Sequence, residues 1–469
     1  MKKVALLLLG SILCSSYVFS QNTISLSNFD AFENSGANWI IVSDLSTDFN
    51  RSTAKFITGS GIAVSKAGKE ATNLVSKAQL EGNVEVDFDF LTTKGSTSAV
   101  YIMGRYKILL SDSWPEISNP LSKIGVISIN GIENTISFRA EQPIGNVGKA
   151  PGLWQHLKVK FKSPVFDNSG KKISKATFEE IYLNGVLIHQ DVALDGLSEG
   201  SSFSDESTKG PLVFQADANR VIAFRNISYK SLHEGAGQYI DADNGRFRMV
   251  NPIIVKAEAE PYILRSYLSF GEGKRTHVIS VGNPNHTNYS YDLKQGSILQ
   301  FWRGGFVDAT GMWESRGEPQ LAEPLGAVIT LSSSPSFAVL NSSDSIWPDS
   351  IPFDDFHNKG YSYDAGKNVT FHYEYSGFNV DDKILMVSNG GSLKREINVT
   401  NAPENLYFRM ASGKTIESLG KGLYVIDGKS YYIEVSERLK PIIRKLQNTD
   451  ELVIAFSKNI SSLEYSIIW

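Results

Sequence analysis

Apolar and polar residues alternate with a period of two along most of this chain. Val84, Val86, Phe88 and Phe90 are interleaved with Glu85, Asp87 and Asp89, and Leu157, Val159 and Phe161 with Lys158, Lys160 and Lys162. Successive side chains of an extended segment leave opposite faces, so each run predicts a strand with one face buried and one in water. Asn130-Gly131, Asn184-Gly185, Asn389-Gly390 and Asp427-Gly428 punctuate such runs. These residue types tolerate the positive φ that tight hairpins demand. There is no long amphipathic helix, no glycine-rich phosphate loop and no repeat of fixed period. The pattern predicts an all-β protein built as antiparallel sandwiches or jelly rolls.

The alternation breaks after Leu232, where His233-Glu234-Gly235-Ala236-Gly237 and Asp241-Ala242-Asp243-Asn244-Gly245 gather turn formers. We expect one β domain over 21–232, a linker over 233–245 and a second β-sandwich domain over 246–469. Asp241, Asp243 and Gly245 loosely resemble a calcium loop, but glycine stands at the third ligand position and no glutamate closes the loop. A linker rich in Asp and Asn is the reading adopted.

Lys2 and Lys3 precede the apolar run Val4 to Leu13, and Val18-Phe19-Ser20 offers a cleavage point before Gln21. This has the form of a secretory leader over 1–20, so the mature chain is expected to be exported, periplasmic or secreted. The apolar run is far shorter than the roughly 20 residues of a spanning helix, and no membrane span is expected. Cys14, the single cysteine, would leave with the leader, which excludes disulfides, cysteine-ligated metals and a cysteine nucleophile. Removing Lys2 and Lys3 leaves 44 of the 46 basic residues against 50 acidic ones, a formal charge of −6 without a basic block. Nucleic acid is therefore not an expected partner.

Within the first domain a series of motifs runs from Asn38-Trp39 through Gly104-Arg105-Tyr106, Pro151-Gly152-Leu153-Trp154, Asn184-Gly185-Val186 and Gly210-Pro211-Leu212 to Phe224-Arg225-Asn226-Ile227. In this order, over residues 25–231, it resembles the 3-keto-disaccharide hydrolase family. The resemblance implies a concanavalin-like jelly-roll sandwich and cleavage of glycosides whose sugar carries a ketone at C3. That ketone acidifies the C2 proton. A base removes it, an acid assists departure of the aglycone from C1, and water adds afterwards. Asp112, Gln215, Asp217 and Arg225 are the expected catalytic residues on this basis, with Arg105 and Lys107 expected to contact the substrate. Each of the four also suits a structural role, Asp112 as a turn cap and Arg225 as a partner for a carboxylate. Trp39, Trp114 and Trp154 could stack on a sugar or fill core, His156 is expected to face solvent, and His189 to be structural.

The chain departs from the family at places that matter. Where relatives continue Gly-Arg-Tyr as Glu-x-Gln, this sequence has Lys107 and Leu109; where they read Gln-Gly-Asp-His-Gly, it has Gln215-Ala216-Asp217-Ala218-Asn219. The expected active-site motifs are thus partly eroded.

The second segment carries Val281-Gly282-Asn283-Pro284, Asn288-Tyr289-Ser290-Tyr291-Asp292, Phe301 to Asp308 and Trp313-Glu314-Ser315-Arg316-Gly317. It resembles a β domain of exported haem-binding and sugar-dehydrogenase-associated proteins, without the haem motif. Trp302, Arg303 and Asp308, with Trp313 and Arg316 nearby, form a candidate sugar platform or else a pinned hairpin with core tryptophans. No cofactor is predicted. A divalent metal stays open, since Asp354, Asp355 and His357 lack a fourth ligand at a recognisable spacing. Three functions follow: an enzyme cleaving 3-keto-glycosides, a non-catalytic carbohydrate-binding or accessory protein, or a subunit docking onto an exported sugar dehydrogenase or cytochrome.

Overall fold

A computed structural model describes residues 21–33, 36–68, 71–115, 123–130, 138–141, 143, 145–232, 251–271, 273–314, 320–342, 344–387, 390–456 and 460–469. The leader, the junction 233–245 with Asp241, Asp243 and Gly245, and Gly131, Arg316 and Asn389 lie outside these residues. The fold is all-β, and every strand pairing is antiparallel, as the alternation requires. An N-terminal jelly-roll sandwich is followed by a second β-sandwich.

The first sandwich packs two sheets face to face. One has the strand order Val186–Leu194, Ala176–Leu183, Trp154–Lys162, Val84–Thr92, Ile222–Ser231, Lys55–Ser65, Trp39–Ser46. The other runs Leu74–Glu81, Lys209–Phe214, Thr97–Ile102, Tyr106–Ser111, Ile127–Asn130, Phe138–Glu141. Val84, Val86, Phe88 and Phe90 point into the space between them, with Leu157, Val159 and Phe161 beside them and Leu212, Phe214, Ile108 and Leu110 opposite. The Phe88, Phe214 and Phe224 rings sit 4.7 to 6.0 Å apart. Truncating one such ring to alanine costs about 3–5 kcal/mol. The Asn184-Gly185 hairpin forms as expected, with φ of 52° and 83°.

The second sandwich sets an eight-stranded sheet, from Phe356–Tyr363 at one edge to Ile416–Gly420 at the other, against a six-stranded and a four-stranded sheet. Its core includes Tyr291 stacked on Phe371 with centroids 3.8 Å apart. No helix among the described residues is long and apolar enough to cross a membrane.

The two halves are joined through the Pro151-Gly152-Leu153-Trp154 motif. Ala150 and Leu153 are fully buried in the hydrophobic core of the second half, and Ala327 of the second half packs into the core of the first. Tyr432 donates its hydroxyl to the Pro151 carbonyl at 3.0 Å, and the Trp154 amide donates to the Lys429 carbonyl at 3.1 Å. Gly152 has φ of +80°, and a Cβ there would stand 2.3 Å from the Tyr432 hydroxyl. Glycine is required both by the left-handed backbone and by the closeness of the second domain.

Candidate functional site

The outer face of the sheet that carries Val84–Thr92 at its centre is made by residues that alternate with the core positions. On the central strand these are Glu85, Asp87 and Asp89. Asp89 stands directly across from His156 on one neighbour and from Arg225 on the other. The His156 Nδ1 lies 3.0 Å from Asp89 Oδ1, and its Nε2 lies 3.3 Å from Asp87 Oδ2. Arg225 Nε donates to Asp89 Oδ2 at 3.0 Å, and Asn226 Nδ2 donates to the same oxygen at 2.8 Å. A register shift between Arg225 and Ser228, with Asn226 at φ of 52°, brings two consecutive side chains to one carboxylate. Regular pleating would send them to opposite faces.

This geometry sets the charges. Burial opposes ionisation of Asp89, but the hydrogen bonds from His156, Asn226 and Arg225 outweigh it and hold the carboxyl below the usual carboxylate range. The bond to Asp89, followed by the field of Asp87, raises the His156 pKa against the effect of burial. The Arg225 guanidinium lies 4.0 Å above the centroid of the buried Trp154 ring, which fixes its plane.

This face opens into a cleft of about 310 Å³ closed on its far side by the second domain. Ala327 and Val328 of the strand Glu323–Thr330, and Asp427 to Ser430 of a hairpin, form that wall. Lys429 spans the interface by an ion pair with Asp44 at 2.8 Å.

Lys149 enters the cleft from the loop before Trp154. Its amide donates to Gln155 Oε1 at 2.9 Å, and Asn184 Nδ2 donates to the same oxygen at 3.3 Å. The preceding carbonyl, of Gly148, accepts from Arg303 of the second domain at 3.1 Å. The backbone is therefore fixed from both halves. Its ammonium makes no hydrogen bond or ion pair with another described residue, and burial draws its pKa down to about 8 despite the field of Asp89, with Arg225 adding to the fall. One cleft thus holds an amine made less basic and an imidazole made more basic.

Of the expected site residues, only Arg225 lies in this cleft. Asp112 accepts the amides of Gly95 and Trp114 at 2.8 and 3.1 Å, capping a turn, and burial raises its pKa. Asp217 accepts the amides of Thr97, Asn219 and Arg220 between 2.7 and 3.1 Å. Gln215 has a buried Oε1 without a partner among the described residues. Arg105 is buried under Phe203, donating to the carbonyls of Asp205, Met103 and Lys209. Lys107 projects from the other sheet with its ammonium 5.9 Å from the Tyr101 centroid.

The expectation of a sugar platform at Trp302, Arg303 and Asp308 is corrected. Trp302 is fully buried with its indole N–H bonded to the Gly305 carbonyl, and Asp308 accepts the Thr310 amide at 2.8 Å ahead of the short helix Thr310–Trp313. Arg303 is buried and donates to the carbonyls of Gly148 and Gly390, and burial draws its pKa down to about 10. Trp302 and Arg303 are therefore packing residues shut away from water, while the partly exposed Asp308 serves the backbone turn.

His156 faces solvent as expected, and is in addition held between two carboxylates. His189 is buried with Nε2 2.7 Å from the Gly125 carbonyl, as its structural reading implied. Asp87 and Asp89 were legible only as the wet side of a strand, and Lys149 carried no signal of its own. The facing acidic and basic strands, Glu85 to Asp89 against His156 to Lys160, were the available clue. Among the described residues no group of three or more His, Asp and Glu side chains is placed to hold a metal ion.

Residues 25–230 match the family model of the 3-keto-alpha-glucoside-1,2-lyase-like domain. Similar solved structures include two candidate glycosyl hydrolases of Parabacteroides distasonis ATCC 8503. One is 16% identical with a TM-score of 0.33, over 45% of this chain and 84% of that one. The other is 19% identical with a TM-score of 0.31, over 45% and 100%. The endo-beta-1,4-glucuronan lyase of the fungus Trichoderma reesei is 10% identical with a TM-score of 0.26, over 45% and 95%. No curated protein matches the chain.

Proposed function

We propose that this chain, with its 3-keto-alpha-glucoside-1,2-lyase-like domain at residues 25–230, is an exported enzyme that cleaves 3-keto-glycosides in the cleft between its two halves. The observation that carries this reading is the pairing of Lys149 with the His156–Asp89–Arg225 cluster. Removal of a proton α to a ketone needs a base whose pKa lies near the working pH and a cation for the developing enolate oxygen.

In this reading the neutral amine of Lys149 takes the C2 proton. The electron pair of the C–H bond moves toward C3, and the negative charge that gathers on the ketone oxygen is met by Arg225. When the enolate collapses, the C1–O bond breaks and the departing oxygen receives the proton of His156 Nε2. The 3.3 Å contact of that nitrogen with Asp87 is the looser of its two, so it is the one a substrate oxygen displaces. Asp89 keeps the imidazole oriented and protonated beforehand. Water then adds across C1=C2: neutral His156 takes its proton as the oxygen bonds to C1, and the Lys149 ammonium returns its proton to C2, which resets both groups. Lys107, Leu109 and Ala218, which stand where the family motifs differ, take no part in this scheme.

The test is incubation of the full-length purified protein with a 3-keto-disaccharide and chromatographic detection of released sugar. Sugar release, abolished in Lys149→Met and His156→Gln, is the expected result. Binding by calorimetry without release would support the accessory reading, and neither binding nor release would remove both.

A further inference from the structure

A second polar crevice lies inside the C-terminal half, apart from the cleft. Its lining includes Ser297, Ser332, Ser336, Tyr465, Arg395 and Arg409, and no carboxylate. Ser332 Oγ accepts from Arg409 at 2.9 Å and from the Ser334 amide at 3.2 Å. Ser336 Oγ accepts from Arg395 at 3.1 Å, as does the Tyr465 hydroxyl. These oxygens act as acceptors toward the guanidinium and amide donors, which leaves their own O–H groups available to donate. Ser297 Oγ is buried and has no partner among the described residues. The crevice is rich in donors and poor in acceptors.

Charge points the same way. Asp382 compensates Arg395 through two hydrogen bonds. Arg409 and Arg444 are both buried and share one carboxylate, Glu451, at 2.6 and 3.2 Å. The neighbouring Asp450 pairs outward with exposed Lys445 at 3.5 Å. Glu451 is thus the shared ion-pair partner of two buried guanidiniums, with Asp349 adding only its field at Arg409, in surroundings where charge is costly. The space measures about 30 Å³. That is room enough for a water-sized species such as a small anion.

We propose that this crevice binds a single small monovalent anion of the halide class, held by the hydroxyls of Ser297, Ser332 and Ser336 beside Arg409. The site is independent of the cleft and of any reaction there. It predicts that chloride stabilises the protein in a way that ionic strength alone does not.

The test compares thermal unfolding of the full chain in sodium gluconate and in sodium chloride at equal ionic strength, alongside crystals grown in low bromide. The expected result is a saturable rise in Tm with chloride, largely lost in Ser297→Ala, and an anomalous bromide peak between Ser297 and Ser336. Equal melting in the two salts, or an undiminished chloride response in a folded Ser297→Ala variant, overturns the proposal. If that variant fails to fold, the bromide crystals of the unaltered protein decide alone. A water in place of the bromide peak there also overturns the proposal.

Discussion

Replacing Lys149 by methionine tests the site and the energetics together. The amine titrates near 8 in the folded protein, against 10.5 for an unperturbed lysine. At pH 7 about a tenth of the molecules then hold a neutral amine, whereas an unperturbed lysine would offer roughly one in 3,000, a gain of about 300-fold in available base. Methionine removes the base, and kcat/KM on a 3-keto-glycoside should fall by about 10² to 10⁴. The rise in activity with pH, expected to run tenfold per unit below 8, should vanish with it. Lys149→Arg, which keeps a cation but never a neutral amine, should be equally inactive.

The same depressed pKa carries a stability cost. The folded state disfavours the charged amine by up to about 3 kcal/mol, the gap between 10.5 and about 8 at 1.36 kcal/mol per pH unit. The penalty is present in full below pH 8 and fades between pH 8 and 10.5, where the unfolded chain also loses the proton. Lys149→Met should therefore be more stable than the unaltered protein at pH 7, with the difference shrinking toward pH 10. Urea unfolding at pH 7 and pH 10, beside initial rates from pH 6 to 9, measures both. Retained activity in Lys149→Arg, or a methionine variant that is both active and no more stable, would refute the reasoning.

Asp89→Asn should lower the His156 pKa toward 6.5, reduce kcat about 100-fold and shift the alkaline limb of the pH profile downward; an NMR titration of His156 reads the pKa directly. Because pairing raises the His156 pKa, its contribution to stability is full below pH 6.5 and is lost as pH rises through the folded value, so Asp89→Asn should cost less stability at pH 9 than at pH 6. Gly152→Ala should destabilise the protein by about 2–4 kcal/mol, from the positive φ and the displaced Tyr432 hydroxyl, seen as a lower urea midpoint. Asp112→Ala and Asp217→Ala should each lose about 1–3 kcal/mol of stability through uncapped amides while keeping activity within about threefold; a loss of 100-fold with an intact fold would restore them as catalytic groups.

Alternation by itself determined the strands. The interleaved residues of 84–90 and 157–162 could satisfy a period-two chain only by burying one side, so the all-β fold and the core positions followed from local chemistry. The family resemblance was equally legible, because glycines, tryptophans and the Phe224-Arg225-Asn226-Ile227 motif serve the backbone of the sandwich. The position of the cleft was not legible. It depends on which strands lie side by side, with 84–92 between 154–162 and 222–231, and on a bulge that turns Arg225 and Asn226 to one carboxylate. Lys149 depends on still more distant partners, since Arg303 of the second half fixes its loop and burial by both halves weakens its charge. Tertiary structure alone made an ordinary lysine less basic and a wet-faced histidine more basic, because a pKa is set by what surrounds a group in space and not by its neighbours in the chain.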